Sequence, residues 1–477
     1  MDKQNIIASI EGRQTELCAL SDAIWGYAET AFVEHKSMAA LVEALKNEGF
    51  AVETGIGNVE TAFKGTFGSG TPVIGFLGEY DALFGIDQVA GATEKVSDNP
   101  GAPGHGCGHN MLGVGALAAA FALKDYLIKT GASGTVVFFG TPGEEGGSGK
   151  AFMAREGCFD MLDAALTWHP SVTTAASTTS SLANIQARFR FSGVSSHAAG
   201  APHMGRSALD GAELMNVGVQ FMREHVTTDV RVHYSITDGG GLSPNVVQPT
   251  AELLYLCRAD TIKGAQEVYD WVCEIARGAA MMTQTKVDIT FVKACSNVIN
   301  NRVMELQLQK NLEAMPPYKA DEAERKLMRA FSETVDSSRE SMLRGLKSTS
   351  LEAMAFMRQH MDDDFYDFVL PITLEEKASP GSTDVGDVSW VCPTAQINVA
   401  TWAPLTPGHS WQVVSQGRST MAHKGTLYAG QVMAATAIDL LEQPELLAAA
   451  KAEHLERVGP DGYQCPIPKG VVPKPLA

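Results

Sequence analysis

Cys107 and His109 stand one residue apart in the stretch Gly104-His105-Gly106-Cys107-Gly108-His109-Asn110. A thiolate and an imidazole so placed can point into one small space, because the glycines around them let the backbone turn tightly and approach an ion closely. They make half of a transition-metal site. The same pair in a Gly-rich loop serves equally well as plain structure, so further ligands must come from elsewhere in the chain. Three other places offer them. Glu144 and Glu145 lie in Thr141-Pro142-Gly143-Glu144-Glu145-Gly146-Gly147, directly after a β-branched and aromatic run. Two adjacent carboxylates at a strand end repel each other, and a nearby cation would relieve that; the alternative is a solvated helix start, where carboxylates suit the N-terminal dipole. His169 before Pro170 reads as a ligand or as a satisfied core histidine, and His409 in Pro407-Gly408-His409 reads, on its own, as a surface-loop residue. Together these four places supply metal-ligand side chains at the ends of buried elements.

The elements needed to hold them in place follow an α/β pattern. Apolar residues over 111–129 predict a buried helix directly behind the Cys/His loop, and strands are predicted at 61–67, 73–77, 135–140 and 164–168. Functional residues then sit at strand ends, where ligands of open α/β sheets gather. Residues 4–49 predict two helices and 85–103 a polar loop. After residue 182 the pattern changes: Ile185, Ala187, Phe189 and Phe191 alternate on one face, and the order becomes β-α-β-β-α-β, a split βαβ unit inserted into the first domain. The expected division is 1–182 with 298–477 as one catalytic domain and 183–297 as the insert. Residues 301–365 read as charged helices, 371–380 as a loop, 396–400 as a strand, 421–442 as a helix, and the Pro- and Gly-rich tail from 455 as a surface wrap.

Composition narrows the function classes. The 477 residues exceed one ordinary core. With 37 basic against 55 acidic residues the net charge is −18, which argues against nucleic acid and anionic membranes as partners. A small anionic substrate remains compatible if a local basic pocket receives it. The first residues, Met1-Asp2-Lys3-Gln4-Asn5, do not open a signal peptide. No uncharged apolar run reaches spanning length, and the eight cysteines are scattered, so a cytoplasmic protein with reduced thiols is expected.

Taken together, Cys107-Gly108-His109, Gly143-Glu144-Glu145, Trp168-His169-Pro170 and His409 resemble the metallopeptidase and amidohydrolase family M20, in its Cys-containing subgroup. The resemblance runs nearly end to end. It implies a mixed-sheet, metallo-aminopeptidase-like α/β catalytic domain with an inserted ferredoxin-like lid and dimerisation domain. It also implies two divalent ions, manganese or zinc, with Cys107 bridging them and His109, Glu145, His169 and His409 completing the shells. Glu144 would be the general base, and Asp81 the carboxylate that orients a ligand. Glu79, where the commoner pattern of the family has a histidine, would not be a ligand. In the insert, His197 of Ser195-Ser196-His197-Ala198-Ala199 would stabilise the oxyanion, often across a dimer, while Asn245 and Arg258 would contact a substrate carboxylate. His105, His203 and Asp384 lie near motif positions without an assigned role. The implied activity is hydrolysis of an amide bond, with p-aminobenzoyl-glutamate as the expected substrate. The alternatives are a general N-acyl amino acid deacylase or dipeptidase, and a subunit with a mainly structural metal site. A homodimer through the lid is expected, with a related A-type subunit as a further partner.

Overall fold

The helix His109–Thr130 is apolar on every side and buried along most of its length. By length and composition it could cross a membrane; here it is the centre of the largest hydrophobic core, which is why it needs no polar face. The computed structural model describes residues 3–315, 317–340, 350–374 and 378–475. In chain order its strands are β1 (Ala51–Thr54), β2 (Phe63–Ser69), β3 (Val73–Gly78), β4 (Gly134–Gly140), β5 (Ala164–Ser171), β6 (Ala175–Ser177), β7 (Ala183–Ser192), β8 (Arg231–Asp238), β9 (Thr250–Ala259), β10 (Lys286–Cys295) and β11 (Thr394–Ala400).

Seven of these form one sheet in the order β1-β2-β4-β3-β5-β11-β6. The four central strands, β4, β3, β5 and β11, are parallel, and β1, β2 and β6 add antiparallel edges. The fold is therefore mixed α/β. Strands β3 and β4 are almost wholly buried, as parallel strands covered on both faces must be. The helix His109–Thr130 lies close against this sheet because two of its positions lack a side chain. A Cβ at Gly113 would come within 2.7 Å of the Glu79 carbonyl oxygen, and one at Gly115 within 2.5 Å of Trp168 Nε1. Trp168 in turn donates Nε1–H to the Leu112 carbonyl at 2.9 Å, which pins β5 to the same helix.

The other four strands form an antiparallel sheet in the order β10-β7-β9-β8, backed by the helices Ala208–Met222 and Ile262–Thr283. Its helix-facing residues include Ala187, Phe189, Phe191, Leu253 and Tyr255, matching the alternation expected from the sequence. The N-terminal region differs from expectation. It forms three helices, Lys3–Glu11, Gln14–Tyr27 and His35–Asn47, because the chain turns at Gly12-Arg13. The charged region yields the helices Arg302–Ala314, Glu322–Ser332 and Leu351–Gln359. The expected loop at 371–380 lies partly outside the described residues.

Candidate metal centre

The carboxyl ends of β3, β4 and β5 deliver Glu79 and Asp81, Glu144 and Glu145, and His169 to one place, and the N-terminus of the helix His109–Thr130 adds Cys107 and His109. Gly108 makes that junction fit. Its φ is +75°, and a Cβ there would meet Met111 at 2.7 Å and Trp402 at 3.0 Å. His409 arrives on a separate loop with a left-handed φ of 56°, and its N–H donates to the Gly106 carbonyl at 2.9 Å. The two loops that carry Cys107 and His409 are thus tied by their backbones.

Donor atoms converge in two triads that share one member. Those of Cys107, His109 and His169 lie within 4.8 Å of one another, as do those of Cys107, Glu145 and His409. A third group, Glu79, His109 and Glu144, overlaps them. His169 Nδ1 lies 2.7 Å from the Pro170 carbonyl oxygen. A carbonyl only accepts, so Nδ1 carries the proton and Nε2, 3.2 Å from Cys107 Sγ, presents its lone pair. His109 is held likewise: Nδ1 meets Asp81 Oδ1 at 2.9 Å. The other oxygen of Asp81 accepts the Glu145 N–H at 2.7 Å, so one carboxylate orients both a histidine and the glutamate turn.

Charge and burial test whether cations fit. His109 Nε2 is buried with no hydrogen-bond partner, although Glu79 Oε2 stands 3.2 Å away. Glu145 Oε1 is similarly unbonded, with His409 Nε2 at 3.3 Å. Burial and the neighbouring Glu145 push the Cys107 thiol well above its usual range. Burial, Glu79 and Glu145 likewise raise the Glu144 carboxyl well above the carboxylate range. Burial opposes the His109 imidazolium, but Cys107, Asp81 and Glu79 outweigh it and raise its pKa. Desolvation works against the Glu145 carboxylate too, yet His409 and His109 hold it down at about 2. Crowded anionic groups, orphaned buried donor atoms and a soft thiolate among imidazoles make a set that suits a divalent transition metal; a bound cation would deprotonate the thiol.

The site lines a cavity of about 730 Å³. Cys107, Glu144, Glu145, His169 and His409 face it, and so does Arg258 from β9. Glu144 is the uncommitted member, since its carboxylate makes no hydrogen bond among the described residues. His197 and Asn245 are not brought here. Both are exposed, and the His197 ring accepts the Ala199 and Gly200 N–H groups at Nδ1, 3.2 and 3.0 Å away, as a residue capping a turn does.

Two residues of the centre, Lys150 and Glu34, escaped the sequence reading, and Glu79 and Asp384 gain a partner there. Lys150 is fully buried between Glu79 Oε1, at 2.6 Å, and Asp384 Oδ1, at 2.7 Å. Glu79 therefore stands among the candidate donors with its second oxygen fixed by a cation. Buried Glu34 accepts the Gly143 N–H at 2.9 Å and so shapes the turn that presents the glutamate pair; burial and Asp81 push its carboxyl up to about 8.

Residues 75–380 match the model of peptidase family M20/M25/M40. The chain is 46% identical over 470 residues to the B-type subunit of p-aminobenzoyl-glutamate hydrolase from Escherichia coli (strain K12), with 98% of each chain covered. An aminobenzoyl-glutamate utilization protein from Klebsiella pneumoniae shares the fold, with a TM-score of 0.57 at 16% identity over 88% of this chain and 97% of that one. So does a dinuclear metal binding peptidase of the M20 family from Bacillus subtilis, with a TM-score of 0.55 at 17% identity over 91% and 99%. A family match spanning more than half of the sequence, together with a relative aligned end to end, places the chain in peptidase family M20/M25/M40.

Proposed function

We propose that the chain is a two-metal amide hydrolase that converts p-aminobenzoyl-glutamate to p-aminobenzoate and glutamate. The observation that carries this is the pair of donor triads meeting at Cys107, with an unbonded Glu144 on the same cavity wall. The name of the E. coli relative supports the substrate. Cys107, His109 and His169 would hold one ion and Cys107, Glu145 and His409 the other. Thiolate and imidazole suit zinc, and the carboxylates admit manganese. Ions bound there supply Lewis acidity toward the scissile carbonyl and make water acidic near neutral pH.

The remaining steps belong to the chain's own side chains. Glu144, free of other bonds, takes the proton of the attacking water and passes it to the departing nitrogen. Asp81 keeps His109 and Glu145 in register, and Lys150 keeps Glu79 in place. Arg258, with Nη1 bonded to Ser382 Oγ at 2.8 Å, turns its remaining N–H groups to the substrate's α-carboxylate. Residues 183–297 act as an inserted lid. His197 and Asn245 sit side by side on it, the Ala198 N–H donating to the Asn245 carbonyl at 2.9 Å, and they would reach the cavity of a second copy of the chain. The relative is named as a subunit, so a related A-type chain is a further proposed partner. Eight unpaired thiols support a reducing, cytoplasmic setting.

The test is kcat/KM for p-aminobenzoyl-glutamate beside its α-carboxamide. We expect the carboxamide to be poorer by about 10- to 100-fold, and Arg258→Ala to erase that difference through KM. Equal values in the unaltered protein would remove the α-carboxylate contact.

A further inference from the structure

Lys293 is only 9% exposed, yet it faces the same cavity as Glu144 and Arg258. Its ammonium makes no hydrogen bond or ion pair among the described residues. A buried, unpaired charge is costly and calls for a partner. Glu305, which lines the same cavity, makes its bonds instead to Asn300 Nδ2 at 2.8 Å and Arg302 Nη1 at 2.5 Å.

The backbone is bent to put Lys293 there. Along β10, Val287, Ile289 and Phe291 stand opposite Phe191, Phe189 and Ala187, the face that packs on the two helices. Strict alternation would turn Lys293 onto that apolar face as well. The register instead slips between Phe291 and Lys293, and Val292 is the extra residue of a bulge. Lys293 then stands opposite Gln186, which lines the cavity. Bulges of this kind re-aim side chains beside functional sites. On the other side of β7, Arg258 stands opposite Asn184, also a cavity residue, two positions from Gln186. Two cations therefore flank one strand on the cavity wall; among the described residues one bonds only to Ser382 and the other to no side chain.

We infer that Arg258 and Lys293 form a two-cation clamp for a dicarboxylic amino acid: Arg258 takes the α-carboxylate and Lys293 the side-chain carboxylate. This rests on the amide-hydrolase reading and extends it, because it makes Lys293 the residue that selects acidic over neutral leaving amino acids. Glutamate and aspartate amides fit. A glutamine amide, equal in shape, leaves the ammonium without its ion pair.

Metal-loaded Glu144→Gln protein allows binding to be read without turnover. Calorimetry should find p-aminobenzoyl-glutamate bound on the order of 10- to 100-fold more tightly than p-aminobenzoyl-glutamine. Adding Lys293→Met should erase that ratio chiefly by weakening the glutamate ligand, and Lys293→Arg should keep much of it. An equal loss for both ligands, an unchanged ratio, or no preference in the protein with Lys293 intact would overturn the clamp. Turnover by the unaltered chain separates the two claims. A Lys293-dependent preference without release of p-aminobenzoate refutes the reaction and sustains the clamp. Release with a glutamate preference indifferent to Lys293→Met sustains the reaction and refutes the clamp.

Discussion

Cys107 is the one side chain common to the triad with His109 and His169 and the triad with Glu145 and His409, while His109 links the first of these to Glu79 and Glu144. A serine in place of Cys107 keeps the size and loses the soft, polarisable donor that transition metals favour. Cys107→Ser should therefore lower metal content from two equivalents per chain to one or fewer, with the fold intact by circular dichroism. Retention of two equivalents would separate Cys107 from metal binding. Glu145→Gln should also lose metal, because its carboxylate is committed to the second triad. The side chains gathered as candidate donors were mostly readable from type and spacing: Cys107 with His109, the glutamate pair, and His169. His409 was readable only through family likeness, since a histidine in an exposed Pro-Gly turn has no local mark of its role.

Lys150 shows what one element contributes to the centre. It opens the short helix Gly149–Arg155, and its ammonium bridges Glu79 after β3 and Asp384 before the helix Val385–Val391. Three segments far apart in the chain are joined by one buried cation. Removing it leaves two buried carboxylates facing each other, and breaking such a pair typically costs about 3–5 kcal/mol. We expect Lys150→Met to destabilise the metal-free protein by that order in denaturant unfolding; a change below about 1 kcal/mol, within the usual range for surface positions, would mean the network is not structural. None of this was visible beforehand. The sequence around Gly149 carries no sign of a buried lysine, and only the meeting of the β3 end with two short helices shows that water is excluded. The Val292 bulge was equally hidden, because period-two alternation assigns Lys293 to the wrong face until the paired strand is known. Most strand positions, by contrast, followed from β-branched runs, though the short edge strands β1 and β6 were not anticipated, and the β-α-β-β-α-β order agrees with the four-stranded sheet.

The molecule as a whole gathers its candidate metal donors at a cavity that Arg258 and Lys293 also line, yet leaves His197 and Asn245 on its surface. Two copies exchanging these loops would resolve that. Mixing His197→Ala with Glu144→Gln chains should then restore up to about a quarter of the sites by random pairing, because one hybrid cavity receives both intact residues; mixtures no more active than the separate variants would confine each site to its own chain. The central claim is that Glu144 moves the proton in an amide hydrolysis supported by the metal ions. It is tested most directly by p-aminobenzoate release from p-aminobenzoyl-glutamate, comparing the unaltered protein with Glu144→Gln at matched metal content. The account predicts a rate loss on the order of 10²–10⁴-fold with both metal equivalents retained. Equal rates in the two proteins, or no release from either when fully metal-loaded, would contradict it.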